Sequence, residues 1–202
     1  MSLEGKDLAA VIGGRVREGR VSLGWTLDAL AERSGVSRRM VVKVEQGETN
    51  PSVTTLLLLS SALGIGLPAL VADDPVPSGT GPRLVPAGAG AVLWSSPGGG
   101  AGVLLAGTSG PDVLELWSWT LAPGDVHDSS PHGPGTQEVL HVTAGTVELD
   151  VEDETFSLAP GDTVSFPGDR RHAYRAASPE PATFALTVFE PATGSTVERT
   201  TP

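Results

Sequence analysis

The stretch from Thr26 to Gly47 constrains this chain more than any other, because it reads as two short helices joined by one tight turn. Leu27, Leu30 and Ala31 recur at the i, i+3, i+4 spacing of a single helix face. After a turn at Ser34, Gly35 and Val36, Val41 and Val44 fall on one face of a second helix. Thr26 and Ser37 stand where a side-chain oxygen can accept the free N–H groups of a first turn. Gly35 suits a turn that needs positive φ, and Gly47 suits a C-terminal cap. With Ser37 as the cap, Arg38, Arg39, Val42 and Lys43 are predicted to point away from the apolar side. An exposed helix start with two arginines and a lysine carries the donors that reading a DNA major groove requires.

The flanking residues extend the helical pattern. Asp7 to about Arg20 predicts a first helix, with Leu8, Ile12 and Val16 facing the core at i, i+4, i+8. Gly13 and Gly14 are poor helix formers, costing roughly 1 kcal/mol each relative to alanine, and close helix packing is the plain explanation for the pair. Arg15, Arg17 and Arg20 lie off the apolar stripe, either touching phosphates or forming a solvated face. Pro51 keeps Asn50 out of the helical region, and Ser52 can cap a fourth helix, Val53 to Leu63. Leu56, Leu59 and Leu63 give that helix its core stripe, whereas Leu58 is expected to meet the second half of the chain or a partner. Leu67 to Val71 predicts a fifth helix.

From Leu8 to Val71 the chain resembles the lambda-repressor-like, or XRE-type, helix-turn-helix domain. The resemblance rests on Gly35-Val36-Ser37, Val44-Glu45-Gln46-Gly47, Asn50-Pro51-Ser52 and Ala62-Leu63-Gly64. It implies a five-helix domain that binds a double-stranded operator as a homodimer. Ser37, Arg38, Arg39, Val42 and Lys43 would read bases or neighbouring phosphates, and Thr26 and Asn50 would contact phosphate.

A formal net charge of −11 looks wrong for such a protein until it is divided along the chain. Residues 1–72 carry a net of +1 and residues 73–202 a net of −12. Phosphate contacts must therefore come from the first part, with modest nonspecific affinity and a strong dependence on salt. There are no cysteines, which excludes disulfides and thiolate metal sites. No apolar run approaches the roughly 18 residues of a membrane span, and the N-terminus lacks the pattern of a signal peptide. A cytoplasmic protein is the expectation.

Residues 73–86 hold Pro75, Pro77, Pro82 and Pro86 and read as a tether between a domain at 1–72 and another at 87–202. Beyond it the period changes. Short apolar runs from Ala91 onward alternate with turns such as Ala122-Pro123-Gly124-Asp125 and Ala159-Pro160-Gly161-Asp162. That pattern predicts an all-β sandwich or barrel, so the fold class is multidomain, α plus all-β. Pro97 to Gly102 reads as a flexible loop. Val113 to about Glu190 resembles the cupin, a jelly-roll β-barrel, on Pro123-Gly124, His132, Glu138 and Gly145, then Gly161, Pro167 and His172.

The cupin resemblance implies a divalent metal held by two closely spaced histidines, a glutamate and a distal histidine. His132, Glu138 and His172 match three of these, while the second histidine falls at Pro134, which has no ligating side chain. Two readings stay open: a two-histidine, one-carboxylate metal site with open positions, or a metal-free pocket that hydrogen-bonds a small molecule. His127 is available from the same region, whereas His141 should face the opposite side of its strand. Trp117, Trp119, Phe166 and Tyr174 line the pocket or fill the core. Arg170, Arg171 and Arg175 hold an anionic ligand or are solvated.

Together these features predict a transcriptional regulator, not an enzyme, whose cupin senses a small-molecule effector. The alternative is a non-haem iron enzyme like the phosphonate epoxidase, which shares the two-domain layout, but Pro134 stands at one of that family's iron ligands. A third reading is the DNA-binding partner of a toxin, which the large second domain disfavours.

Overall fold

The computed structural model describes residues 5–71 and 81–191, so most of the expected tether at 73–86 lies outside the described residues. Five helices come first: α1 (Gly5–Ser22), α2 (Leu27–Ser34), α3 (Arg38–Glu45), α4 (Val53–Leu63) and α5 (Leu67–Val71). Their starts follow the expected capping chemistry. Thr26 Oγ1 accepts from the Ala29 N–H at 3.1 Å, Ser37 Oγ from Met40 at 3.3 Å and Ser52 Oγ from Thr55 at 3.2 Å. Gly35, at φ 68°, ends α2 in the left-handed region where a side chain would strain the backbone. Ser34 locks this turn: its buried hydroxyl donates to the Leu30 carbonyl at 2.7 Å and accepts from the Val36 N–H at 3.2 Å.

Leu8, Ile12, Val16, Leu30, Val41, Val44, Leu56 and Leu59 form the buried helical core. Gly13 lets α1 cross α3 at backbone distance, since a Cβ there would run into the Val44 carbonyl oxygen. Gly14 faces open space, and nothing in the structure explains it. Neither phosphate contact nor simple solvation describes Arg15 and Arg20. Arg20 makes a two-pronged pair with Glu45 at 2.6 and 2.8 Å and donates to the Trp25 carbonyl at 2.9 Å. Arg15 donates to the Ala69 carbonyl at 2.5 Å, tying α1 to α5.

Ten strands follow: β1 (Ala91–Ser95), β2 (Ala101–Gly107), β3 (Val113–Leu121), β4 (Val126–Ser129), β5 (Gln137–Ala144), β6 (Val147–Val151), β7 (Glu154–Leu158), β8 (Thr163–Pro167), β9 (His172–Ala176) and β10 (Ala182–Glu190). They form two antiparallel sheets, ordered β1-β2-β3-β10-β5-β8 and β4-β9-β6-β7, the two layers of a jelly roll. β4 was not expected, because Val-His-Asp-Ser has no apolar run. Its pairing with β9, from Val126↔Arg175 to Ser129↔His172, makes it a strand. Pro97 to Gly102 is a closed turn rather than a flexible loop. Ser96 Oγ accepts from the buried Gly100 N–H at 2.9 Å and donates to Asp125 at 2.7 Å, and Ala101 already begins β2.

Between the sheets lies an aromatic core. Trp117, Trp119, Phe166, Tyr174 and Phe184 are all buried. The Trp119 and Phe184 rings stack at 5.9 Å, and Tyr174 tilts against Phe184 at 5.3 Å. The aromatics on which a pocket reading was possible are therefore core residues, each contributing roughly 2–3 kcal/mol by burial. The helical half touches the barrel through α5. Pro68 fills the space a side chain at Gly107 would need, and Val113 packs against Gly66.

Candidate functional site

Two places in the molecule gather chemistry. The first is the start of α3. Ser37 spends its hydroxyl on capping, which fixes where the helix begins. Arg38 and Arg39 are exposed in the first turn, while Val42 and Lys43, one turn on, are half-buried. Arg38 Nε lies 2.8 Å from Asp28 of α2, with both side chains largely exposed. An exposed pair of this kind is worth under about 1 kcal/mol and opens readily. Arg33 lies over the Trp25 ring at 4.5 Å. Thr26 is exposed at the α2 cap, and Asn50 is exposed in the loop after α3. Asn50 also borders a cavity of about 530 Å³ between α5 and the segment leading into β1.

The second place is one end of the barrel, where His132, Glu138 and His172 bring one ligand atom each to within 4.8 Å of the others. Alternation along β5 turns Glu138 inward and His141 outward. His141 is exposed and pairs with Thr163 Oγ1 at 2.9 Å. Glu138 Oε2 accepts from the Tyr174 hydroxyl at 2.6 Å. Its Oε1 lies 3.0 Å from His132 Nε2 and 3.4 Å from His172 Nε2. Glu138 Oε1 and His172 Nε2 are both buried, and neither has a well-formed hydrogen bond. Gly168 makes room for this carboxylate, since a Cβ there would come within 2.6 Å of Oε1. The loop carrying His132 is pinned by its N–H donating to the Gly168 carbonyl at 3.0 Å and by Gly135 N–H donating to Asp169 at 3.0 Å.

The charges follow from the packing. Burial works against a charge on Glu138, but the His132 contact and the two neighbouring imidazoles outweigh it and hold the carboxyl below its ordinary range. Burial likewise opposes a charge on His132, yet Glu138, with help from Glu190 and Glu115, pushes it up. Burial lowers His172 despite the pull of Glu138. His172 Nδ1 lies 2.8 Å from the Arg170 carbonyl, to which the neutral ring donates its proton, leaving a lone pair on Nε2. A buried lone pair facing a carboxylate oxygen is a donor set that fits a divalent cation, and the Arg170 carbonyl is the outer partner that orients such a histidine. His132, Glu138 and His172 would hold the ion, with Pro134 contributing nothing.

His127 does not join this group. It stands on β4 against Trp119, with ring centroids 4.6 Å apart, and burial, then the charge of His172, depress it to about 4. The three arginines also lie elsewhere. Arg175 pairs with Asp150, Arg170 lies 3.6 Å from both Glu152 and Asp169, and Arg171 is exposed. None is among the residues lining the cavity at the barrel mouth, and Arg170 and Arg175 are engaged with acidic neighbours.

One residue escaped the sequence reading. Glu115 is buried on β3, one oxygen accepting from Trp117 Nε1 at 2.8 Å and the other unsatisfied. Burial first, then the charge of Glu190, pushes it up to about 8. It sits two strands from Glu138 in one row of the sheet, through Val188. The signal was legible: Glu115 shares its parity with Val113, Trp117, Trp119 and Leu121, all of which face inward.

Comparison with known proteins agrees with both halves. A helix-turn-helix (HTH_3) family model matches residues 16–70, and a cupin domain (Cupin_2) model matches residues 117–189. The HTH-type transcriptional regulator SutR of Escherichia coli K12 is 30% identical over 170 residues, covering 84% of this chain and 89% of its own. The chain belongs to the XRE-type helix-turn-helix transcriptional regulators with a cupin domain. A crystal structure of an HTH_3 family regulator from Vibrio cholerae overlays at a TM-score of 0.68 and 28% identity. That overlay covers 93% of this chain and 99% of the Vibrio chain, so both halves of the regulator are shared. No helix among the described residues is long and apolar enough to cross a membrane.

Proposed function

We propose that this regulator binds a specific double-stranded operator as a homodimer in the cytoplasm and that its cupin half answers to a small-molecule effector. The observation that carries the reading is the Ser37-capped start of α3, which holds Arg38 and Arg39 outward, in a chain whose net negative charge lies in the second half. In this reading Ser37, Arg38, Arg39, Val42 and Lys43 meet bases or adjacent phosphates, and Thr26 and Asn50 meet phosphate. The working division is a DNA-binding domain at 1–72, a tether at 73–86 and a sensor at 87–202. A divalent metal at His132, Glu138 and His172 would orient the sensor mouth rather than catalyse. The iron-enzyme alternative asks for a ligand where Pro134 stands, and shared architecture alone is no ground for catalysis.

The test is selection from the genome that encodes the chain. Purified protein is expected to retain a few discrete duplex fragments, with affinity falling steeply as salt rises. Retention of no fragment above background would contradict the reading.

A further inference from the structure

The two sheets show opposite chemistry on their outward faces. On the four-stranded sheet the outward positions of β4, β9 and β6 include Asp128, Arg175, Glu148 and Asp150, the charge expected of a solvated surface. Across β2, β3, β10, β5 and β8 the outward positions hold no Asp, Glu, Lys or Arg, although residues 73–202 carry a net of −12. Leu105, Leu114, Leu116, Val139 and Phe189 stand there instead, each between 37% and 45% exposed. The register joins them into one patch. Leu114 lies directly opposite Phe189, and Leu116 and Val139 flank Thr187 in the next outward row. An antiparallel sheet with one face in water ordinarily alternates apolar-in with polar-out. Here both faces are apolar, and a contiguous patch of this kind marks a contact surface.

Polar groups on this face are partnered within it. Thr143 Oγ1 donates to the Thr183 carbonyl at 3.0 Å and lies 2.7 Å from Thr183 Oγ1, while His141 Nδ1 lies 2.9 Å from Thr163 Oγ1. Covering these four side chains costs little, because each keeps a partner once water has gone.

We propose that this face is where two copies of the chain meet, sheet against sheet, in an isologous dimer. The proposal deepens the homodimer reading above and rests on it. Size favours a second copy. Five strands of five to nine residues, at about 4.8 Å between strands and about 3.4 Å per residue, make a flat footprint of roughly 600 Å². Side-chain relief brings that to the roughly 800 Å² per partner of a standard interface. Charge favours it too. Two acidic barrels repel each other wherever their carboxylates approach, and this uncharged face lets them touch without that cost. The chain's own remaining segments are poor covers: residues 72–80 and 192–202 carry one large apolar side chain each, Val76 and Val197. Finally, Pro68 of α5 packs at Gly107 of β2, and Gly66 meets Val113 of β3. Pairing the sheets therefore sets the spacing of the two helical halves, as two operator half-sites require.

The test is sedimentation equilibrium of the full-length chain, without DNA and with chelator present. The native chain is expected to be a dimer at micromolar concentration. Leu116→Glu places a carboxylate from each copy in the interface and should raise the dimer dissociation constant on the order of a hundredfold, with an unchanged circular dichroism spectrum. Val126→Glu, at an exposed apolar position on the outward face of the other sheet, should leave the constant unchanged. Thr187→Glu, which removes no large apolar side chain, repeats the measurement if Leu116→Glu does not fold. A native chain that is monomeric at high micromolar concentration overturns the proposal, and so does a dimer that the folded variant splits no more readily than Val126→Glu does. Deleting residues 192–202 should not alter the constant, and a chain that dimerises only after that deletion would show its own tail on the face and overturn the proposal. A dimer that Leu116→Glu splits but that retains no genomic fragment would contradict the operator reading and leave the interface standing.

Discussion

His172 Nε2 lies 3.4 Å from Glu138 Oε1, and at neutral pH neither atom carries a proton for the other. The His132 ring, which Glu138 pushes up, balances this carboxylate in the metal-free protein, and a divalent ion that displaced its proton would meet electron pairs from all three side chains. Manganese or nickel added to the chelator-treated protein is therefore expected to bind with one ion per chain by calorimetry. At a hundredfold excess over its dissociation constant it should raise stability by about 2.7 kcal/mol. Glu138→Gln should remove both effects. A protein whose melting temperature ignores every divalent ion would leave the metal-free pocket as the correct reading.

Glu115 makes a prediction about pH. Its carboxyl keeps a proton up to about 8 in the folded chain, whereas the unfolded chain releases it near 4.5. The folded state thus binds the extra proton between those values, and stability must fall as pH rises through that window. Glu115→Gln keeps an acceptor for Trp117 but cannot ionise. Denaturation midpoints of the two proteins should converge at pH 5 and separate toward pH 8, with the variant the more stable. Parallel curves across that range would show that Glu115 titrates normally.

The two adjacent glycines of α1 should behave in opposite ways. Gly13→Ala would push a methyl group into the Val44 carbonyl and is expected to cost about 1–3 kcal/mol. Gly14→Ala meets nothing and should stabilise by up to about 1 kcal/mol through helix propensity. Thermal unfolding of both variants checks this, and equal effects would contradict the close crossing of α1 and α3.

These contrasts mark what was legible in the sequence. The ends of α4 and α5 could be read directly, because capping side chains and glycine and proline punctuation are local signals. His132, Glu138 and His172 were brought together by the resemblance to the cupin motifs, and the structure places them in one cluster. Partners distant in sequence were not legible. Arg20 meets Glu45 and Arg175 meets Asp150, so arginines that read as free hands for ligand or phosphate are already engaged. β4 was missed because its pairing with β9, not its composition, makes it a strand. The cavity at the barrel mouth, which Leu58 helps to line, depends on how α4 sits against the barrel, which no periodicity reports.

Asp28 bears on α3, the helix proposed to read DNA. Its carboxylate holds Arg38 at 2.8 Å on the exposed side of α2 and α3. If Arg38 meets DNA as proposed, DNA competes with that contact, and Asp28→Ala should strengthen binding severalfold by freeing Arg38 and removing a charge that repels phosphate. Weaker binding in the variant would mean that Asp28 positions Arg38 for DNA instead of restraining it.

The most direct test of the regulator reading is a fluorescence-anisotropy titration of one retained genomic fragment with the native chain and with Arg39→Ala. Arg39 is exposed on the first turn of α3, and a bidentate arginine–guanine contact is worth about 1–3 kcal/mol. The variant is expected to lose on the order of tenfold or more in affinity for that fragment while keeping its melting temperature and its weak binding to unrelated DNA. Unchanged affinity of Arg39→Ala for the selected fragment would contradict the claim that this helix reads the operator.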